Sequence, residues 1–80
     1  MTIEEIKDKV TAFLVDELEI EPQLIQDNAL LKDDMGIDSL EVVDVIVLVE
    51  EAFGLKMKPE DFRQLPTLDA FCSYIHEHIA

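Results

Sequence analysis

Apolar residues in the first eighteen positions recur at a helical interval. Ile3, Ile6, Val10, Phe13, Leu14 and Leu18 share one side of a 3.6-residue period. Thr2 precedes them and Glu5 stands three positions later, the spacing of a capping box. The pattern predicts a helix over Ile3–Leu18, and Pro22 stops it from continuing because proline brings no N–H to the ladder. A second regular run is predicted over Ser39–Phe53. Asp38 is its N-cap, Glu41 lies three positions on, and Gly54 stands where a left-handed residue ends a helix. Pro59 opens a short helix through Gln64, and Pro66 breaks it. Thr67 caps a last helix, Leu68–Ile79, with Leu68, Phe71, Cys72, Ile75 and Ile79 inward and Tyr74 at the edge. Residues 20–38 show no clean period. Their apolar residues, Leu24, Ile25, Leu30, Leu31, Met35 and Ile37, are expected to pin a long connection onto the core, with room for one turn of helix. Connections of that length are uncommon in compact domains and often functional. The expected fold is all-α, one domain over residues 1–80. It is a small four-helix bundle, three main helices and one short, with the long loop between helices 1 and 2.

The second helix carries apolar residues on two sides. At 100° per residue, Val42, Val45, Ile46, Val49 and Phe53 fall on one arc, a core stripe. Leu40, Val43 and Val47 fall on the other side, interleaved with Asp44, Glu50 and Glu51. A helix buried all round would not carry three unpaired carboxylates there, since burying them is costly. The mixed arc reads instead as a docking strip, apolar for contact and acidic for steering.

Charge narrows the function. Nineteen acids face six bases, a formal net charge of −13 at pH 7. A field of that sign repels phosphate backbones and anionic lipid, which argues against nucleic-acid and membrane-surface roles. It attracts basic protein surfaces. Two glycines, three prolines and five aromatic residues argue against a turn-rich β fold. With one cysteine, Cys72, no intrachain disulfide forms, and neither a leader nor a membrane-spanning run is visible. A soluble, reducing, cytoplasmic setting is expected. Cys72 lies on the inward line of the last helix and reads as a small core hydrophobe. His76 and His78 are two apart and do not face each other on a helix, so no zinc pattern arises. Asp33, Asp34 and Asp38 around Gly36 fail the calcium-loop spacing. No catalytic triad, no phosphate-binding glycine loop and little room for a cleft speak for an enzyme.

Ser39 sits at the mouth of the second helix, where serine is common simply because it satisfies orphan amides. Its surroundings carry more. Met35-Gly36-Ile37-Asp38-Ser39-Leu40, the approach Asn28-Ala29-Leu30-Leu31-Lys32-Asp33-Asp34, the segment Glu50-Glu51-Ala52-Phe53, then Met57, Pro59-Glu60-Asp61 and Tyr74-Ile75 together resemble acyl carrier proteins. The resemblance covers nearly the whole chain and is densest over residues 30–53.

It implies that Ser39 bears a covalent 4′-phosphopantetheine arm, transferred from coenzyme A by a phosphopantetheinyl transferase (a holo-ACP synthase). Acyl groups then ride as thioesters for enzymes of fatty-acid, polyketide or related lipid synthesis. It further implies that Asp38 and Leu40 flank the attachment site and that Asp38 caps the helix. Leu40, Val43, Asp44, Val47, Glu50 and Glu51 become the face recognised by synthases and acyltransferases with basic docking patches. The thin core is expected to part for an acyl chain, and the carrier to act as a monomer without metal, nucleic acid or membrane. Lys56, Lys58, Gly54 and Val47 depart from the common fatty-acid pattern and point to a specialised carrier. Two alternatives stand beside this reading: an acidic helical interaction module with no prosthetic group, and a carrier of peptidyl or aminoacyl groups such as D-alanine. The latter usually shows a glycine-rich approach to the serine, which is missing here.

Overall fold

The helices lie where the periodicity puts them. In the computed structural model, which describes residues 1–79, α1 spans Ile3–Leu18, α2 Ser39–Phe53, α3 Pro59–Arg63 and α4 Leu68–Ile79. Each start has a local cause. At α1 the Thr2 hydroxyl accepts the Glu5 N–H at 3.2 Å and the Glu5 carboxylate accepts the Thr2 N–H at 3.0 Å, so the capping box is complete. The bond from the Thr2 backbone foremost, and a second that the Thr2 hydroxyl donates to the carboxylate at 3.1 Å, hold the Glu5 carboxyl below its ordinary pKa. At α4 the Thr67 hydroxyl accepts the Ala70 N–H at 3.2 Å. Pro59 is the first residue of α3, and Asp61 accepts the Lys58 N–H at 3.3 Å. That helix ends one residue earlier than expected, with Gln64 as its C-cap.

Helix ends follow the same logic. Gly54 closes α2 at φ 71, in the left-handed region, and its N–H bonds the Glu50 carbonyl at 2.8 Å. Glu19 does the same for α1 at φ 56, which sequence reading did not anticipate because a glutamate is an uncommon residue there. The Ile20 N–H reaches the Leu14 carbonyl at 3.1 Å and draws Ile20 into the core.

Ile6, Val10 and Leu14 of α1, Val42, Val45 and Val49 of α2, and Leu68, Phe71, Cys72 and Ile75 of α4 form one core, to which no buried polar residue contributes among the described residues. Burial pushes the Cys72 thiol up to about 12, so it stays protonated at neutral pH and behaves as the hydrophobe the sequence indicated. Ile79, Ile46 and Phe53 are only half-buried. Lys9 sits 5.9 Å from the Phe53 ring centroid, a cation–π contact joining α1 to the end of α2.

The long connection is held by its backbone. After a 3₁₀ turn at Pro22–Leu24, residues 27–31 run antiparallel to residues 66–69. Asp69 N–H bonds Asp27 O at 2.9 Å, Leu68 N–H bonds Ala29 O at 3.1 Å, and Leu31 N–H bonds Pro66 O at 3.0 Å. An extended segment alternates its side chains. Ala29 and Leu31 are therefore buried and Leu30 between them is 38% exposed; Leu24, on the solvent side of the 3₁₀ turn, is 40% exposed. Those two leucines do not pin the loop as expected; Ile20 and Ala29 join Leu31, Met35 and Ile37 in doing so. Lys7 of α1 adds a staple, 3.0 Å from Asp27 and 3.5 Å from Asp69. The hydrogen bond to Asp27 is the main reason its ammonium is held above its ordinary pKa. The radius of gyration, 11.1 Å, matches the roughly 12 Å expected of a fully packed chain of this length, so the loop adds no bulge.

The short α3 buries one side chain, Phe62, whose ring meets Phe71 edge-on at 5.3 Å and 77°. Phe62→Ala is expected to lower stability by about 3 kcal/mol, read by urea denaturation. The α3 amides should then exchange as fast as free ones while those of α1 and α4 stay protected.

Candidate functional site

The approach to α2 is a chain of tight turns that leaves little choice for Asp38 and Ser39. Leu30 O accepts both the Asp34 and the Met35 N–H, at 3.0 and 3.1 Å, while the Asp34 carboxylate accepts the Leu30 N–H at 2.8 Å. Ile37 N–H then bonds Leu31 O at 3.0 Å. Gly36 takes φ 72 between buried Met35 and Ile37, and a β-carbon there would touch nothing, so its backbone conformation alone calls for glycine. With Met35 and Ile37 seated inward, the next residue turns out and becomes the cap.

Asp38 is that cap. One carboxylate oxygen accepts the Leu40 N–H at 3.0 Å and the Glu41 N–H at 3.1 Å, and its carbonyl accepts the Val42 N–H at 3.0 Å. Among the described residues Glu41 returns no bond to Asp38, so half of the box is made. Ser39 follows as the first residue of the helix, exposed. Its own N–H is the first-turn amide left without a partner among the described residues. The hydroxyl thus stands at the positive end of a 15-residue helix, next to a free amide, where an attached anion is favoured.

Beside Ser39 opens a groove of about 550 Å³. The approach loop lines it with Leu31, Lys32 and Ile37, α3 and its exit with Phe62, Arg63 and Leu65, and α2 with Val42. Sequence reading did not find this groove. Nothing along the chain indicates that Lys32 and Arg63, thirty-one positions apart, share one opening.

The outer arc of α2 is as mixed as its period implies. Leu40 is 81% exposed, Val43 55% and Val47 48%, and Asp44, Glu50 and Glu51 are exposed around them. The opposite stripe, Val42, Val45 and Val49, is buried. Elsewhere the candidate polar residues are occupied locally. Asp34 and Asp38 bind backbone amides. His78 stacks on Tyr74 with ring centroids 4.0 Å apart, its Nδ1 2.8 Å from the Tyr74 carbonyl one turn back. Burial raises the pKa of the Tyr74 phenol, with Asp61 adding to the shift.

Residues 8–75 match the family model described as a phosphopantetheine attachment site. The chain is 32% identical to an acyl carrier protein of Zymomonas mobilis over 73 residues, 91% of this chain and 94% of that one. It is 31% identical over 80 residues to one of Thermosynechococcus vestitus, 100% of this chain and 99% of that one. It is 33% identical over 72 residues to one of Bdellovibrio bacteriovorus, 90% of this chain and 92% of that one.

Because Asp38 satisfies two amides, Asp38→Ala should cost about 1 kcal/mol in urea denaturation, and Asp38→Asn much less, as asparagine still caps. Faster exchange at Leu40 and Glu41 in the alanine variant alone would show that the loss is at the cap.

Proposed function

The chain belongs to the acyl carrier proteins with a phosphopantetheine attachment site, and from that membership we propose that Ser39 is the attachment residue through which it carries acyl groups between enzymes. The observation that carries this reading is the position of Ser39. It is an exposed hydroxyl on the first residue of α2, inside the matched span, with a free amide at its back and a groove at its side.

These residues fit the group. Phosphopantetheine, when bound, supplies a terminal thiol that holds acyl groups as thioesters. What the chain supplies is a place for its phosphodiester and room beside it. In the transfer from coenzyme A, the Ser39 hydroxyl oxygen forms the new bond to phosphorus. The pyrophosphate bond breaks, adenosine 3′,5′-bisphosphate leaves, and the hydroxyl proton passes to a base of the transferase. Asp38 keeps the helix start rigid, since one of its carboxylate oxygens is engaged by two amides, at 3.0 and 3.1 Å. Ser39 acts as an anchor and the chain as a carrier rather than a catalyst. Its place is the cytoplasm, and among the described residues no helix is long and apolar enough to cross a membrane.

The outer arc of α2 is the docking face for a phosphopantetheinyl transferase and for synthases and acyltransferases with basic patches. Leu40, Val43 and Val47 give desolvated contact, and Asp44, Glu50 and Glu51 steer the encounter and set its register. All six lie within about three and a half turns of Ser39, so a partner docked there has the attachment site at its edge.

Incubation with coenzyme A and a broad-specificity transferase should add one phosphopantetheine to the wild type and none to Ser39→Ala, read by intact mass, with equal helical circular dichroism in both. Addition to the alanine variant would move the site elsewhere. Reversing two charges, Glu50→Lys with Glu51→Lys, should lower the kcat/KM of that transfer about 10-fold at low salt and much less at high salt. An unchanged rate would remove these acids from the docking face.

A further inference from the structure

Six bases stand among nineteen acids, so where the unengaged ones gather is informative. Lys7 lies between Asp27 and Asp69, and Lys9 lies by the Phe53 ring. Of the other four, Lys32 and Arg63 line the groove beside Ser39, and among the described residues neither forms an ion pair. They stand on different walls, Lys32 on the approach loop and Arg63 at the end of α3. The same lining includes the apolar Ile37, Val42, Phe62 and Leu65. Two acids share the opening. Asp38 is engaged by the amides of α2, and Asp33 pairs with neither base.

Bases at this spot oppose the rest of the molecule. They do not help recruit basic partners, which the acids of α2 attract. Nor do both serve the phosphodiester, which is fixed on the Ser39 oxygen at the helix mouth while Arg63 belongs to another helix. An apolar lining with a cation on each wall complements a short hydrocarbon ending in an anion. Resting on the carrier reading above, we propose that Lys32 and Arg63 make this groove selective for acyl groups that carry a carboxylate, the half-thioesters of dicarboxylic acids. The methylenes lie on the apolar lining, and the carboxylate meets the guanidinium and the ammonium.

The test compares two cargoes of similar length, succinyl and butyryl, loaded from their coenzyme A thioesters by a broad-specificity transferase. Wild type, Lys32→Gln, Arg63→Gln and the double variant are loaded, and intact mass is read first. A wild type that accepts neither group overturns the carrier reading and this inference with it; loaded chains isolate the inference. The readout is the melting temperature. On a chain already at −13, one more negative charge lowers stability unless a cation receives it, so the sign discriminates. The succinyl wild type should melt about 2–5 °C above the butyryl form at low salt. The gap should narrow in each single variant and close or invert in the double variant. Succinyl melting at or below butyryl in the wild type overturns the proposal, as does a gap that survives in the double variant. If the two bases instead change only the difference between unmodified and phosphopantetheine-bearing chain, they serve the phosphodiester and the proposal fails.

Discussion

The backbone ladder between residues 27–31 and 66–69 is the constraint on which the functional end of the molecule depends. Residues 20–38 have neither the period of a helix nor a sheet to join, and ordering them costs about 1–2 kcal/mol of backbone entropy per residue. Three hydrogen bonds to the start of α4 and its approach, with Lys7 across Asp27 and Asp69, tie that segment down. Alternation along the tied strand turns Ala29 and Leu31 inward, and the turns that follow bury Met35 and Ile37. By the time the chain reaches Asp38 its direction is set. The cap, the exposed serine and the groove wall are consequences of where the loop is fastened.

Helix α2 then separates two tasks by face. Its valines at 42, 45 and 49 are buried and hold it to the core, so its outer arc is left to solvent. An apolar residue such as Leu40, 81% exposed, contributes nothing to folding there. It gains its value when a second surface removes it from water. Placing the Ser39 hydroxyl at the first residue of the same helix fixes its distance from the exposed outer arc by backbone geometry alone, with no flexible element between them.

Much of this was legible in the chain. Helix bounds at Ile3–Leu18, Ser39–Phe53 and Leu68–Ile79, the caps at Thr2, Asp38 and Thr67 and the left-handed Gly54 follow from local rules, and local rules act on neighbours in sequence. The exposure of Leu40, Val43 and Val47 follows from the same 3.6 period that buries Val42, Val45 and Val49. What was not legible depends on contacts between distant residues. Leu24 and Leu30 were expected inside because they are leucines; the 3₁₀ turn turns Leu24 to solvent, the pairing with Thr67 does the same for Leu30, and no periodicity reports either. Glu19 takes a left-handed conformation that its side chain disfavours, because Ile20 gains a place in the core. The groove arises from three segments meeting and has no signature in any one of them.

The charge of the chain sets the terms under which these pieces cooperate. Nineteen acids on a core of this size repel one another whenever the chain is compact, and only Lys7 forms ion pairs among the described residues. That acidity opposes folding and favours encounter with basic surfaces, so it is tolerable only where folding can be secured by other means. The core meets that need without polar groups. Among the described residues seventeen apolar ones are buried and no polar or charged one is, so burial carries no desolvation penalty that pairing must offset. Stability therefore comes from apolar contact inside, while the charge lies outside. The two bases on the groove are the exception, placed where a chain so acidic would otherwise repel an anionic cargo.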